Sequence, residues 1–187
     1  MCRRARKTFG DAKARRVTFL NMIRELARND RDEVIALLRA TKNFSELEIA
    51  IAEELIDICI DKADQKDYYA FVSEEPRPFL RGGAGEGSCI AGFLLLGPTP
   101  ATVGTYDMYW IAAHPDVQGR GIAQELDAFA ARFVKERGGY LLIAETSSQP
   151  SYERTRAFYR KQGYETLATI ADYYKLGDDL IIFGRRV

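Results

Sequence analysis

Residues 109–125 constrain this chain more than any other stretch. Tyr109-Trp-Ile-Ala-Ala-His114-Pro115 is an apolar, aromatic run that reads as a strand. After the short turn at Asp116-Val117, Gln118-Gly119-Arg120-Gly121-Ile122-Ala123 opens a helix expected to reach Arg137, with Leu126, Phe129, Ala130, Phe133 and Val134 inward. A strand that feeds a helix through small residues leaves several N–H groups bare at the positive end of the helix dipole. That end is an anion site, best suited to phosphates. Larger side chains at Gly119, Gly121 and Ala123 would hold a diphosphate away from those amides.

The spacing narrows the ligand. It is not Gly-x-x-x-x-Gly-Lys-Ser/Thr, and it is not Gly-x-Gly-x-x-Gly about twenty residues before an acidic ribose ligand. A P-loop and a dinucleotide fold are therefore poor fits. The cluster Arg81-Gly-Gly-Ala-Gly-Glu-Gly-Ser88 also looks phosphate-like, but it joins two strand patterns with no helix after it and reads as a loop.

Elsewhere the patterning gives a single domain. Val17–Leu26 reads as a first strand, and Asp30 precedes a short amphipathic helix. Ser45-x-x-Glu48 is a capping box that opens a helix to about Ala63, with Leu47, Ile51, Leu55 and Ile58 expected on its packed stripe. Strands are expected at Tyr68–Glu75, Cys89–Leu96, Thr102–Ala113, Tyr140–Ala144, Tyr164–Ile170 and Leu180–Gly184, with a helix at Tyr152–Gln162. The order β-α-α-β-β-β-α-β-α-β-β argues for an α+β domain over residues 17–187, a mixed sheet with helices on both faces.

Charge is uneven although it sums to zero. Residues 1–16 carry seven Lys/Arg against Asp11, and the other 171 residues carry 20 basic against 26 acidic side chains. The basic arm reads as a solvated, disordered start, and nucleic-acid binding through it is the weaker reading. No run approaches the ~20 apolar residues of a membrane span, and no apolar core follows the charges to make a secretory signal. Three cysteines without ligand spacing suit a reducing, cytoplasmic setting, with Cys59 and Cys89 as small core residues. One histidine and no Cys/His cluster give a metal no support.

The pattern Gln118-x-x-Gly121-x-Ala123, after a strand ending in His114-Pro115-Asp116, resembles the acetyl-CoA pyrophosphate loop of the GNAT superfamily of N-acetyltransferases. A second block strengthens the likeness. Glu145 ends one strand, and Ala157-Phe158-Tyr159-Arg-Lys-Gln-Gly163-Tyr164 resembles the superfamily's Phe-Tyr-x-x-x-Gly-Phe/Tyr helix. The layout is most similar to the ribosomal-protein alanine N-acetyltransferases.

This resemblance implies the GNAT acyl-CoA N-acyltransferase fold, with a mostly antiparallel mixed sheet. It implies acetyl-CoA as acyl donor, and direct attack by a primary amine in a ternary complex. The acceptor is left open between a protein N-terminus and a small-molecule amine. Donor-binding residues would be Gln118, Gly119, Arg120, Gly121, Ile122, Ala123 and Gln124 at the diphosphate. Ile111, Ala112 and Ala113 would offer backbone N–H groups to pantetheine and the oxyanion. Tyr152 stands where the family commonly has an asparagine touching CoA, two residues later in its loop, which puts the pantetheine contact in question.

Tyr159 would protonate the departing thiolate, as a phenol near pKa ~10 can. Phe158 reads as an ordinary core aromatic, and His114 as a structural residue of the phosphate turn. Attack needs a neutral amine, which at pH 7 costs about 1.4 kcal/mol for an α-amino group and about 4.6 kcal/mol for a lysine. A base is therefore useful, and Glu145 and Asp107 both qualify, each with the alternative of a structural hydrogen-bond acceptor. Tyr173-Tyr174, expected in a loop before the last strand, and Tyr106, Tyr109 and Trp110 supply aromatic surface for an acceptor. Homodimers are common in the fold, though no residue here demands one. The reading from a different class is a catalytically silent acyl-CoA sensor on the same fold.

Overall fold

A computed structural model describes residues 22–62, 64–76 and 88–187. The basic arm, residues 17–21 of the expected first strand, Cys2 and the glycine-rich segment before Ser88 lie outside them. The element order is β1 (Met22–Glu25), α1 (Arg31–Thr41), α2 (Glu46–Asp61), β2 (Tyr69–Pro76), β3 (Ser88–Pro98) and β4 (Thr105–Ala113), then α3 (Ile122–Glu136), β5 (Leu141–Ser147), α4 (Glu153–Lys161), β6 (Glu165–Lys175) and β7 (Asp178–Arg186). It is the order read from the sequence.

The strands form one mixed sheet in the order β1-β2-β3-β4-β5-β7-β6. Every pairing is antiparallel except β4 with β5. That parallel contact runs only from Thr105↔Leu141 to Asp107↔Ile143. Beyond it the two strands part, and the second half of β4 has no strand on that side. Parallel neighbours need a long crossover, and α3 supplies it.

Helices cover both faces. α1 and α2 pack through Val34, Leu38, Ile49, Ala52 and Ile56 onto Val72, Phe93 and Leu95. On the other face α3 packs through Leu126, Ala130, Phe133 and Val134 onto Phe71, Leu94, Leu96 and Leu142, and α4 contributes Tyr159. The capping box of α2 is present: Ser45 Oγ accepts from the Glu48 amide, and Glu48 Oε2 accepts from the Ser45 amide at 2.7 Å.

Three sequence expectations need correction. On α2 the packed stripe is Ile49, Ala52 and Ile56, whereas Leu47 is 72% and Ile51 43% exposed. The helix is apolar on several sides, so periodicity alone does not choose the face. Tyr173 and Tyr174 belong to β6, not to a loop. A register irregularity between Ile170 and Lys175, with Asp172 at φ 54°, lets that strand run on to a tight turn at Leu176-Gly177. On α4, Phe158 is only partly buried and Tyr159 is the core aromatic; consecutive helix positions lie about 100° apart, so one residue's shift exchanges the two roles.

Candidate active site

A bulge in β4 aims the site. Leu95 pairs with Trp110 and Leu96 with Met108, so Tyr109 is the extra residue. Before it, Tyr106 and Met108 face α3; after it, Ile111 and Ala113 do. Asp107 and Tyr109 point to the α2 face, and the strand beyond them lines the opening left by β5.

That opening holds a cleft of about 530 Å³, which reaches from α3 to Thr41, Asn43 and Phe44 between α1 and α2. Ile111–Ala113 form its floor, residues 117–119 and 121–124 one wall, and Ser151, Arg154, Thr155, Phe158 and Lys161 of the α4 region the other. The His114 amide donates to Ala91 O on β3 at 2.8 Å. Strand amides alternate sides, so the N–H groups of Ala113 and Ile111 turn toward the open side and that of Ala112 toward β3.

The loop before α3 is built for an anion. Gly119 and Gly121 sit at φ 81° and 95°, where L side chains are strained. Gly121 is the N-cap and offers no side chain to the helix. Gln118 and Arg120 spend their amides on Pro115 and Val117 carbonyls, and the first helical bond is Glu125 N–H to Gly121 O. The amides of Gly119, Gly121, Ile122, Ala123 and Gln124 have no backbone partner among the described residues. His114 is structural in the same turn: its Nδ1 accepts from the Asp116 amide at 3.2 Å.

The opposite face of the opening is acidic and aromatic. Asp107 on β4 and Glu145 on β5 share it, close enough for the Asp107 charge to raise the Glu145 carboxyl. Burial is the larger cause of the upward shift in both, and for Asp107 the Thr99 hydroxyl and Tyr109 phenol beside it act the other way. Tyr109 meets Tyr68 edge-on at 5.6 Å, and burial followed by the Asp107 charge pushes its phenol up to about 12. Tyr174 is pushed up to about 12 by burial and then by Glu145. Tyr152 donates its hydroxyl to Glu48 Oε1 at 3.3 Å and is likewise pushed up to about 12, by burial and then Glu48. Among the described residues, no Lys or Arg forms an ion pair with Glu48, Asp107 or Glu145.

Three residues stand apart from their expected places. Tyr152, at the position of the family's CoA-touching asparagine, faces Glu48 and is not among the residues lining the cleft. Arg120 turns from the cleft and pairs with Glu75 through Nη2 at 3.1 Å. Tyr159 lies behind Phe158, its ring packed on Tyr164 at 5.2 Å and Phe183 at 5.5 Å, with 4% of its surface exposed. Burial pushes its phenol well above the ordinary value. Its hydroxyl has no hydrogen-bond partner among the described residues and is not one of the buried polar atoms left unpaired.

Glu48 and Tyr68 also join the site, and sequence reading passed over both. Glu48 was legible only as a capping residue. Its second oxygen meets Tyr152 across 104 positions of sequence, and no local signal reports such a contact. The loop before α4 is fixed by Arg156, whose Nη1 donates to the Ser147 and Gln149 carbonyls at 2.6 and 2.9 Å.

A sheet that splays at its one parallel pair, with bare amides at the opening and paired carboxylates behind it, is the frame of an acyl-CoA-dependent transferase. The profile of the acetyltransferase (GNAT) family matches residues 46–164, and the chain belongs to that family of acetyltransferases. Its structure is similar to that of a GNAT-family protein from Desulfovibrio desulfuricans, at 33% identity and TM-score 0.79 over 88% of this chain and 98% of that one. It shares the fold of the ribosomal-protein-S18-alanine N-acetyltransferase from Escherichia coli, at 18% identity and TM-score 0.63 over 90% and 94% of the two chains. It also shares that of an aminoglycoside 6'-N-acetyltransferase complexed with coenzyme A, at 16% identity and TM-score 0.63 over 88% and 96%. No curated protein sequence matches the chain significantly. Among the described residues no helix is long and apolar enough to cross a membrane, and no group of His, Cys, Asp and Glu could hold a metal ion.

Proposed function

We propose that this acetyltransferase moves the acetyl group of acetyl-CoA directly onto a primary amine that arrives as an ammonium ion. The observation that carries the reading is that Asp107 and Glu145 lie on one face where β4 and β5 part, near enough for the first charge to act on the second. The acceptor enters on the α2 face, where carboxylates without basic partners and the rings of Tyr68, Tyr109 and Tyr174 suit a cation. Acetyl-CoA lies in the cleft on the other side. Its diphosphate takes the amides of residues 119 and 121–124, with Gln118 at the rim, and its pantetheine runs along Ile111–Ala113.

Glu145, with Asp107 beside it, takes the proton from the ammonium, directly or through a water. Their raised pKa values move them toward the working pH, where a general base is most effective. The neutral amine attacks the thioester carbonyl, and the open-side amides of Ile111 and Ala113 are the candidate donors to the oxyanion. When the C–S bond breaks, Tyr159 supplies a proton to the thiolate, and the proton that the new amide nitrogen sheds returns through water to the tyrosinate. Its raised pKa keeps it protonated, and the unpartnered hydroxyl is what a sulfur at the cleft floor would complete.

The test is a thiol-release assay with acetyl-CoA and a panel of amines: peptides with free N-termini, lysine peptides, polyamines and aminoglycosides. Cationic primary amines should release CoA, while their N-methylated quaternary counterparts should not. Glu145→Gln should remove most of the rate and leave acetyl-CoA affinity intact. Binding of acetyl-CoA with no release from any amine would overturn the enzymatic reading in favour of a silent acyl-CoA sensor.

A further inference from the structure

Strand alternation carries Phe71, Ser73 and Glu75 to the α3 face of β2. Phe71 fits the core at 4% exposed, and Ser73, at 0%, is small enough to lie there with its hydroxyl unpaired. Glu75 does not fit: it is a carboxylate 3% exposed, at the end of the strand that reaches the start of α3. Its ion-pair partner among the described residues is Arg120 of the phosphate loop, at 3.1 Å. Arg120 remains 35% exposed, so it covers the carboxylate from the solvent side. It is also the one residue between Gly119 and Gly121 that has a side chain.

We infer that Arg120 is a positioning residue that serves the donor site by masking Glu75, not by gripping the diphosphate. The inference rests on residues 118–124 as the diphosphate site. An uncovered carboxylate beneath that loop would repel an incoming dianion, and water screens it little because it is buried. With Arg120 in place the pair is neutral. The loop then presents amides alone, and its backbone is anchored to β2 at the only side chain available between its two glycines. A direct ligand role makes a different forecast. If the guanidinium bound phosphate, Glu75 would be a competitor, and its removal would not repair the loss of Arg120.

The experiment is calorimetric titration of the full chain with acetyl-CoA, which needs no acceptor. The Kd should rise about tenfold or more in Arg120→Gln, which leaves Glu75 bare. It should return to within about threefold of the unaltered protein in Glu75→Gln/Arg120→Gln, as the charge it masked is gone. Where glutamine at 75 fails to fold, Glu75→Leu in the same pairing makes the same comparison. A double variant as weak as Arg120→Gln would overturn the masking role, and so would an Arg120→Gln protein of undiminished affinity. Failure of the unaltered protein to bind acetyl-CoA would instead sink the assignment of the loop itself.

Discussion

Asp107 faces Ile143 in the last residue pair before β4 and β5 diverge, and Glu145 follows two residues later on the same side of the sheet. Two carboxylates thus meet at the mouth of a splayed sheet, and each titrates above its ordinary value. The base must be ionised, so activity should fall as pH is lowered, with a midpoint above the usual carboxylate range. In Asp107→Asn the like charge is gone, and the acid limb of the profile should move to lower pH. A limb that stays in place would separate Asp107 from the titration of the base.

The same pair makes a stability forecast of opposite sign to the catalytic one. A carboxyl whose pKa is raised by folding ionises more easily in the unfolded chain. Stability is therefore lost as pH rises from the ordinary carboxylate value through the raised one. At neutral pH Asp107→Asn should raise Tm by about a degree or two while lowering turnover, a trade expected where activity needs a strained charge pair. Thermal scans at pH 4 and pH 7 check it: the gain should be confined to pH 7.

Asp127 is a different kind of carboxylate. It is 1% exposed on α3, accepts from Tyr164 Oη at 2.9 Å and pairs with Arg185 of β7 at 2.8 Å. Arg185 also donates to Gln162 O at 2.8 Å, which ties the end of α4 to the same knot. Arg185→Met would leave the carboxylate buried without its counter-charge, held by the Tyr164 hydroxyl alone, at a cost of about 3–5 kcal/mol. For a domain of this size the Tm should fall by roughly 6–20 °C. A fall of less than about 3 °C would show that the knot is not what holds α3 and α4 to the sheet.

Much of this was legible because local chemistry and global fold agree. The apolar run before His114, the small residues after it and the 3.6-residue stripe of α3 all report one strand–turn–helix unit. Ser45 and Glu48 cap a helix in the structure as they do on paper. The missing parts are those set by long-range register. The bulge at Tyr109 decides which way Ile111–Ala113 face, and nothing near it in the sequence marks it. The α2 stripe failed because Leu47 and Ile51 are as apolar as Ile49 and Ile56. The ion pair between Glu75 and Arg120 joins two elements that are far apart in the chain, and neither residue advertises the other.

Gly92 gives α3 its place over the cleft. A Cβ there would stand 2.6 Å from Ile122 Cγ2, 2.8 Å from Leu126 Cδ1 and 3.2 Å from the Ala112 carbonyl. Leu126 can swing its Cδ1 aside, whereas Ile122 Cγ2, branched at Cβ, gives way by moving the first turn of α3, whose amides face the donor site. Gly92→Ala should therefore cost about 1–3 kcal/mol of stability. It should also weaken acetyl-CoA binding by more than the fall in folded fraction explains. Titration at a temperature where both proteins are fully folded checks this, and equal Kd values would mean that α3 relaxes without moving its amides.

Tyr159→Phe separates packing from chemistry at one position. The ring is wedged between Tyr164 and Phe183, and phenylalanine keeps that packing. The hydroxyl makes no hydrogen bond among the described residues, so its removal breaks nothing in the free protein. The hydroxyl is not one of the buried polar atoms left without a partner, so its deletion should change stability little. If the hydroxyl protonates the thiolate, turnover should fall about 10²-fold or more while acetyl-CoA affinity and Tm hold. A core tyrosine with no catalytic part would leave turnover within about twofold, and the thiolate would then take its proton from water at the cleft. The ratio of kcat between the two proteins, at saturating acceptor and donor, decides it.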